Sequence, residues 1–166
     1  WEDSMKTLAM ILTATLTSIV IGIPIGILMS RSNRTQSVVN PVLDFMQTVP
    51  SFVYLIPVIM LFGIGKLPGI IAVIVYAIPP VIRLTDLGIR LVDKEVLEAA
   101  DAFGSSQWKR LTNVQIPLAL PTIMAGVNQT IMMALAMVVV AALVGSPGLG
   151  QPVLKAINNQ FLFMGA

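Results

Sequence analysis

Glu98-Ala99-Ala100-Asp101-Ala102-Phe103-Gly104, followed after nine residues by Val114-Gln115-Ile116-Pro117, is the one polar, helix-forming island between long apolar runs. Asp93 suits a helix N-cap, and Glu95 sits near the positive end of the helix dipole. Residues 94–103 are mostly good helix formers. Gly104 can take the left-handed conformation that ends a helix. Ser105 or Ser106 can cap a second helix carrying Trp108, Lys109, Arg110 and Leu111, and Pro117 marks the return to apolar sequence. The loop 93–117 is therefore predicted to be a helix, a sharp turn and a helix. Ala99 and Ala100 are small enough for close docking, and Glu98 offers a charge to a basic partner. The competing reading is an amphipathic loop lying on a membrane, with Trp108 as interfacial anchor.

The flanking runs decide the class. The chain is 56% hydrophobic and 11% charged, with a mean hydropathy of +0.89. Soluble domains carry about a quarter charged residues, so much of this surface is expected to face lipid. Four complete spans are predicted, each long enough to cross a bilayer. The first covers about Thr7 to Ser30 and contains Gly22-x-x-x-Gly26, a spacing that lets another helix approach closely, with Pro24 expected to kink it. The second covers about Val38 to Gly63, interrupted by Pro50 and Pro57. The third follows Pro68 and ends near Leu84, with Pro79-Pro80 inside. The fourth covers about Pro117 to Val144. The turn-rich stretch Gly145–Gly150 then leads toward the start of another span, at Phe161-Leu162-Phe163-Met164. Trp1 in place of a starting Met, and the apolar run at the other end, suggest an internal part of a longer chain.

Basic residues collect in cytoplasmic loops. Arg31, Arg34, Arg83, Arg90, Lys94, Lys109 and Arg110 fall in alternate connections, and Lys6, Lys66 and Lys155 in the others. This asymmetry puts the polar island inside the cell and the Gly145–Gly150 turn outside. With no cysteine and no histidine, thiolate catalysis and His-ligated metals are excluded. The eight carboxylates lie mostly in polar connections, so no metal site is expected, and a net charge of +2 gives no case for nucleic acid. Gly63-Ile-Gly-Lys66 imitates a phosphate loop but lacks its upstream glycine, and Leu67 replaces the Ser/Thr. Any use of ATP therefore needs a partner. Arg83 and Asp86, three apart, are expected to pair on one helix face.

The order E-A-A, three residues, Gly, nine residues, aliphatic-x-aliphatic-Pro resembles the EAA loop of the membrane subunits of bacterial ABC importers; Val114 and Ile116 are conservative departures from its usual ending. Three further stretches resemble permeases for glycine betaine, proline betaine and choline: Asp44–Tyr54, Ala77–Arg83 and Gly126–Met132. The resemblance implies an all-α integral membrane bundle of the type I importer permease kind in the bacterial inner membrane. It implies coupling to a cytoplasmic ATPase dimer through Glu98, Ala99, Ala100, Asp101 and Gly104, with ATP and magnesium held by that partner and no cofactor in this chain. It also implies a second permease copy, identical or not, and an extracytoplasmic solute-binding protein or domain.

Gln47, Thr48, Ser51, Asn128, Gln129 and Thr130 are polar groups within predicted spans. Amides and hydroxyls can line a route for a zwitterion without trapping it, or can bond neighbouring helices. Tyr54 offers a cation–π contact, with packing as the alternative. The rival function is an ion-gradient-driven secondary transporter of small zwitterions. It predicts carboxylates deep in the membrane or inverted repeats with broken spans, and neither is evident in the sequence.

Overall fold

The computed structural model describes residues 1–143, 145, 146, 148, 149, 151, 152, 155–157 and 159. Its elements are α1 (Glu2–Arg31), α2 (Asn33–Thr48), α3 (Ser51–Phe62), α4 (Lys66–Arg90), α5 (Lys94–Ala102), α6 (Gln107–Arg110) and α7 (Ile116–Leu143). A π-helical segment, Leu111–Gln115, joins α6 to α7. The second helix of the predicted loop therefore runs straight into the last span. Among the described residues, three helical rods are long and apolar enough to cross a membrane: Glu2–Arg31, Lys66–Arg90 and Gln107–Ala142. The chain is an all-α, multi-pass membrane protein. The expected further span at residues 161–164 lies outside the described residues, as do Val144, Pro147 and Gly150 of the turn region.

The second predicted span, Val38–Gly63, is interrupted as expected: it comprises α2 and α3, bent by 98° at their junction. The break falls at Val49-Pro50 and not at Pro57, which α3 accommodates. Val49 is extended (φ −77°, ψ 129°), the region favoured for a residue before proline, and its β-branch adds to that preference. Pro50, at φ −57°, then serves as the N-cap of α3. Pro24, Pro41, Pro79, Pro80 and Pro121 all lie within helices.

Helix α4 is the centre of the bundle, packed between α1 and α7. The packing rests on small residues at four-residue intervals. On α1 these are Ala14, Ser18, Gly22 and Gly26, all buried. A Cβ at Gly22 would lie 2.5 Å from Val81 Cγ1, and one at Gly26 would lie 2.6 Å from Thr85 Cβ and 2.7 Å from the Ile82 carbonyl oxygen. On the other side, a Cβ at Gly126 of α7 would meet Leu84 Cβ at 3.0 Å. Lipid tails are as apolar as the helices, so association relies on such close van der Waals contact and not on exclusion of water. Ala14, Leu55, Ala72, Val73, Ala77, Ala134, Met137, Val138 and Ala141 complete the main core.

The bundle has two distinct ends. At the first, Arg90 at the close of α4 donates to the Met29 carbonyl (2.6 Å) and to Asn33 Oδ1 (2.9 Å), and Arg31 donates to Gln107 Oε1 (3.1 Å). This end gathers the start of α2, the close of α1 and α4, and both α5 and α6. At the second end, Thr7 Oγ1 of α1 accepts from the Leu149 amide (2.9 Å), and a Cβ at Gly69 of α4 would lie 2.5 Å from Ser146 Oγ. Lys6 lies here, paired with Glu2 at 2.7 Å. The expected Arg83–Asp86 pair is not formed. Asp86 pairs with Arg90, one helical turn on (2.8 Å), and Arg83 crosses to Asp44 on α2 (2.5 Å).

Candidate functional site

The polar island folds into an exposed, braced knob at the first end. Asp93 caps α5 by accepting from the Glu95 amide (3.1 Å), and Ser106 caps α6 by accepting from the Lys109 amide (3.4 Å). Gly104 has φ +77°. The Ser105 amide donates to Ala100 O and the Gly104 amide to Asp101 O, the paired bonds of a Schellman ending. Across this turn Arg110 grips Asp101 (2.6 Å), and Arg31 holds Gln107, so the knob is tied to the end of α1.

No residue of α5 is buried. Glu98, Ala99, Asp101 and Gly104 are exposed and Ala100 is half-buried, while Phe103 at the tip is 91% exposed. Asp93, Glu95, Glu98 and Asp101, against Lys94 alone, give this short helix an acidic surface on an otherwise basic end.

The polar residues expected in a route form two groups. Gln47, Thr48, Ser51 and Tyr54 collect around the α2–α3 bend. Gln47 and Thr48 are exposed, and Ser51 and Tyr54 are half-buried. Thr48 Oγ1 donates to Phe45 O (3.0 Å), a carbonyl that also accepts from the Val49 amide at the close of α2. The Tyr54 hydroxyl donates to Met46 O, and its ring meets Tyr76 edge-on, with centroids 6.1 Å apart. Tyr54 thus braces the bend. Asn128 and Gln129 are exposed on α7, whereas Thr130 is fully buried and its hydroxyl has no partner among the described residues. No hydrogen bond joins the bend to the α7 residues among those described.

Sequence reasoning missed the cross-helix links Asp44–Arg83 and Gln36–Asp86; in the latter, Gln36 Nε2 donates to Asp86 Oδ2 at 2.8 Å. Only the Asp86–Arg90 spacing, a helical i,i+4 pair, was available as a signal. Among the described residues no group of His, Cys, Asp or Glu could hold a metal ion.

The fold is that of importer permeases. A chain of the MetNI methionine ABC transporter, inward-facing, superposes with a TM-score of 0.84 at 22% identity, over 93% of this chain and 78% of that one. In sequence, the chain is 53% identical to the glycine betaine/carnitine transport permease protein GbuB of Listeria monocytogenes, over 96% of its own length and 56% of the relative's. It is 55% identical to the glycine betaine/proline betaine transport system permease protein ProW of Escherichia coli, over 96% of its own length and 45% of the relative's. It thus spans about half the length of these relatives. Residues 8–166 match the family described as binding-protein-dependent transport system inner membrane component. The braced loop, the small-residue bundle and this match over nearly the whole chain place the protein in that family of transport components.

Proposed function

We propose that the chain is the membrane-spanning part of an ATP-driven importer that brings a quaternary-amine osmolyte such as glycine betaine, proline betaine or choline into a bacterial cell. The observation that carries this reading is the identity above one half, over 96% of the chain, to permeases named for glycine betaine. The loop 93–117 supports it. Its acidic, unburied α5 suits a basic groove on a cytoplasmic ATPase dimer, and the Arg110–Asp101 and Arg31–Gln107 ties suit transfer of motion to the spans. Glu98, Ala99, Ala100, Asp101 and Gly104 are the coupling residues in this reading. ATP and magnesium belong to the ATPase.

The clustering of Arg31, Arg34, Arg90, Lys94, Lys109 and Arg110 at the loop end supports a cytoplasmic position for it in the inner membrane, by the bias of basic residues toward that side. The opposite end then faces an extracytoplasmic solute-binding protein or domain. A second permease copy completes the pore. Gln47, Thr48, Ser51 and Tyr54 at the bend, and Asn128 and Gln129 on α7, are the residues assigned to the route. Thr130, being buried within one copy, is assigned to its edge.

The experiment is complementation. Cells stripped of other osmolyte uptake, given the full permease with its ATPase and binding protein, should grow in high salt when glycine betaine is supplied. Growth rescue that persists with a hydrolysis-dead ATPase would reject the reading.

A further inference from the structure

One cavity in the bundle lies between α2 and α4, outside the route residues and the coupling loop. Its volume is about 290 Å³, and Gln36, Asn40, Asp44, Arg83, Asp86 and Leu87 line it. Gln36, Asn40 and Asp44 follow one another at four-residue intervals, so they share one face of α2. Arg83 lies seven residues before the end of α4, about 10 Å along the helix from the loop end. The cavity wall is paired in charge: Asp44 with Arg83, and Asp86 with Arg90. Such a wall does not favour a net ion.

The two pairs differ. Asp86 is buried and held on both oxygens, by Arg90 and Gln36. Asp44 and Arg83 have 62% and 38% of their side-chain surfaces exposed and meet through one contact. The pair also links α2 to α4. Arg83 also keeps a buried Nε–H with no acceptor among the described residues, which is costly to leave unpaired.

We propose that this cavity is a weak binding site for a small zwitterion bearing a quaternary ammonium and a carboxylate. The carboxylate takes the accessible end of the Arg83 guanidinium, where Asp44 now sits. The ammonium faces Asp44. The solute replaces the resting pair ion for ion, so neither side chain is left uncompensated. Weak binding suits a step in a route, where solute must leave as readily as it enters. The inference rests on the proposed importer function, because it takes its solute class from there. A zwitterionic phospholipid headgroup offers the same two charges, so the experiment separates the two sources.

The sequence contains no cysteine, so Asn40→Cys provides a reporter in the cavity once any cysteines elsewhere in the complex have been replaced. The full permease–ATPase complex is placed in phosphatidylglycerol nanodiscs, and the rate of thiol labelling is measured. Glycine betaine at twice its dissociation constant should slow labelling about threefold by simple occupancy. Sucrose should not slow it, and choline, which lacks the carboxylate, should slow it less. The double variant Asp44→Asn/Arg83→Gln should abolish the protection, and the swap Asp44→Arg/Arg83→Asp should keep it.

No protection by glycine betaine in the discs, when the same complex in closed vesicles with its binding protein imports it with ATP, overturns the inference and leaves the importer function standing. Absence of both protection and ATP-driven import overturns both. Protection by phosphatidylcholine nanodiscs without solute, with nothing added by glycine betaine, assigns the cavity to a lipid headgroup and also overturns the inference.

Discussion

Replacing Gly26 with alanine adds one methyl group where α1 lies against the backbone of α4. That carbon would lie 2.6 Å from Thr85 Cβ, 2.7 Å from Ile82 O and 2.9 Å from Thr85 Cγ2. The first distance is about 0.8 Å short of the 3.4 Å at which ordinary contact begins. The Ile82 oxygen belongs to the α4 backbone and cannot rotate away, so the helices must part. Overpacking costs about 1–3 kcal/mol, and three short contacts, one to backbone, put this site near the upper value. The helix propensity of alanine over glycine returns about 1 kcal/mol. The net loss should be about 2 kcal/mol, roughly a thirtyfold fall in the folded-to-unfolded ratio. At Gly22 the obstacles are side-chain carbons of Val81 and Ile82, which can adjust, so Gly22→Ala should cost less. Reversible unfolding of the full permease in mixed micelles measures both. Gly26→Ala found as stable as the parent, or less harmful than Gly22→Ala, would refute the close-packing argument.

Three further outcomes follow from the geometry. Gly104 has φ +77° and no atom within 4 Å of a Cβ position, so Gly104→Val is strained by its backbone alone, by about 1–2 kcal/mol or more for a β-branched residue; it should insert normally yet bind the ATPase weakly on co-purification, with Gly104→Asn closer to the parent. Ser146 is 3% exposed and makes a poor topology reporter, whereas Leu149 is 47% exposed; Leu149→Cys should react with an impermeant thiol reagent added outside intact cells, and labelling only from the inner side would invert the orientation. Asn128→Leu should lower solute flux while leaving recovery of the complex unchanged, since Asn128 is exposed on its own copy; a loss of recovery that accounts for the whole loss of flux would instead mean helix bonding, worth about 0.6–2 kcal/mol.

The parts legible in the sequence are those governed by local chemistry. Asp93, Gly104 and Ser106 act where their types predict, because capping and positive φ are properties of a few neighbouring residues. Gly22-x-x-x-Gly26 correctly marked a close helix contact but not its partner, α4. The bend was less legible. Pro50 and Pro57 look alike in sequence, and only Pro50 breaks the helix, behind the β-branched Thr48-Val49. The ion pairs were misread for a different reason. Residue spacing suggested Arg83 with Asp86, but α2 crosses α4 and brings Asp44 to Arg83 and Gln36 to Asp86. The π-helical link at Leu111–Gln115 was also unforeseen; Pro117 just beyond it has no N–H to continue a regular ladder. For the route, composition identified polar residues but not their facing, which is why Thr130 was grouped with the exposed Asn128 and Gln129.

In the proposed function, this bundle moves a quaternary amine at the expense of ATP hydrolysed by a docked partner. Uptake of radiolabelled glycine betaine into vesicles holding the full permease and its ATPase, with binding protein on the substrate side, tests it most directly. Uptake should require ATP on the loop side, survive collapse of the proton and sodium gradients, and fall sharply with Glu98→Lys or Gly104→Val. Uptake that proceeds without the ATPase and vanishes with the ion gradient would contradict it.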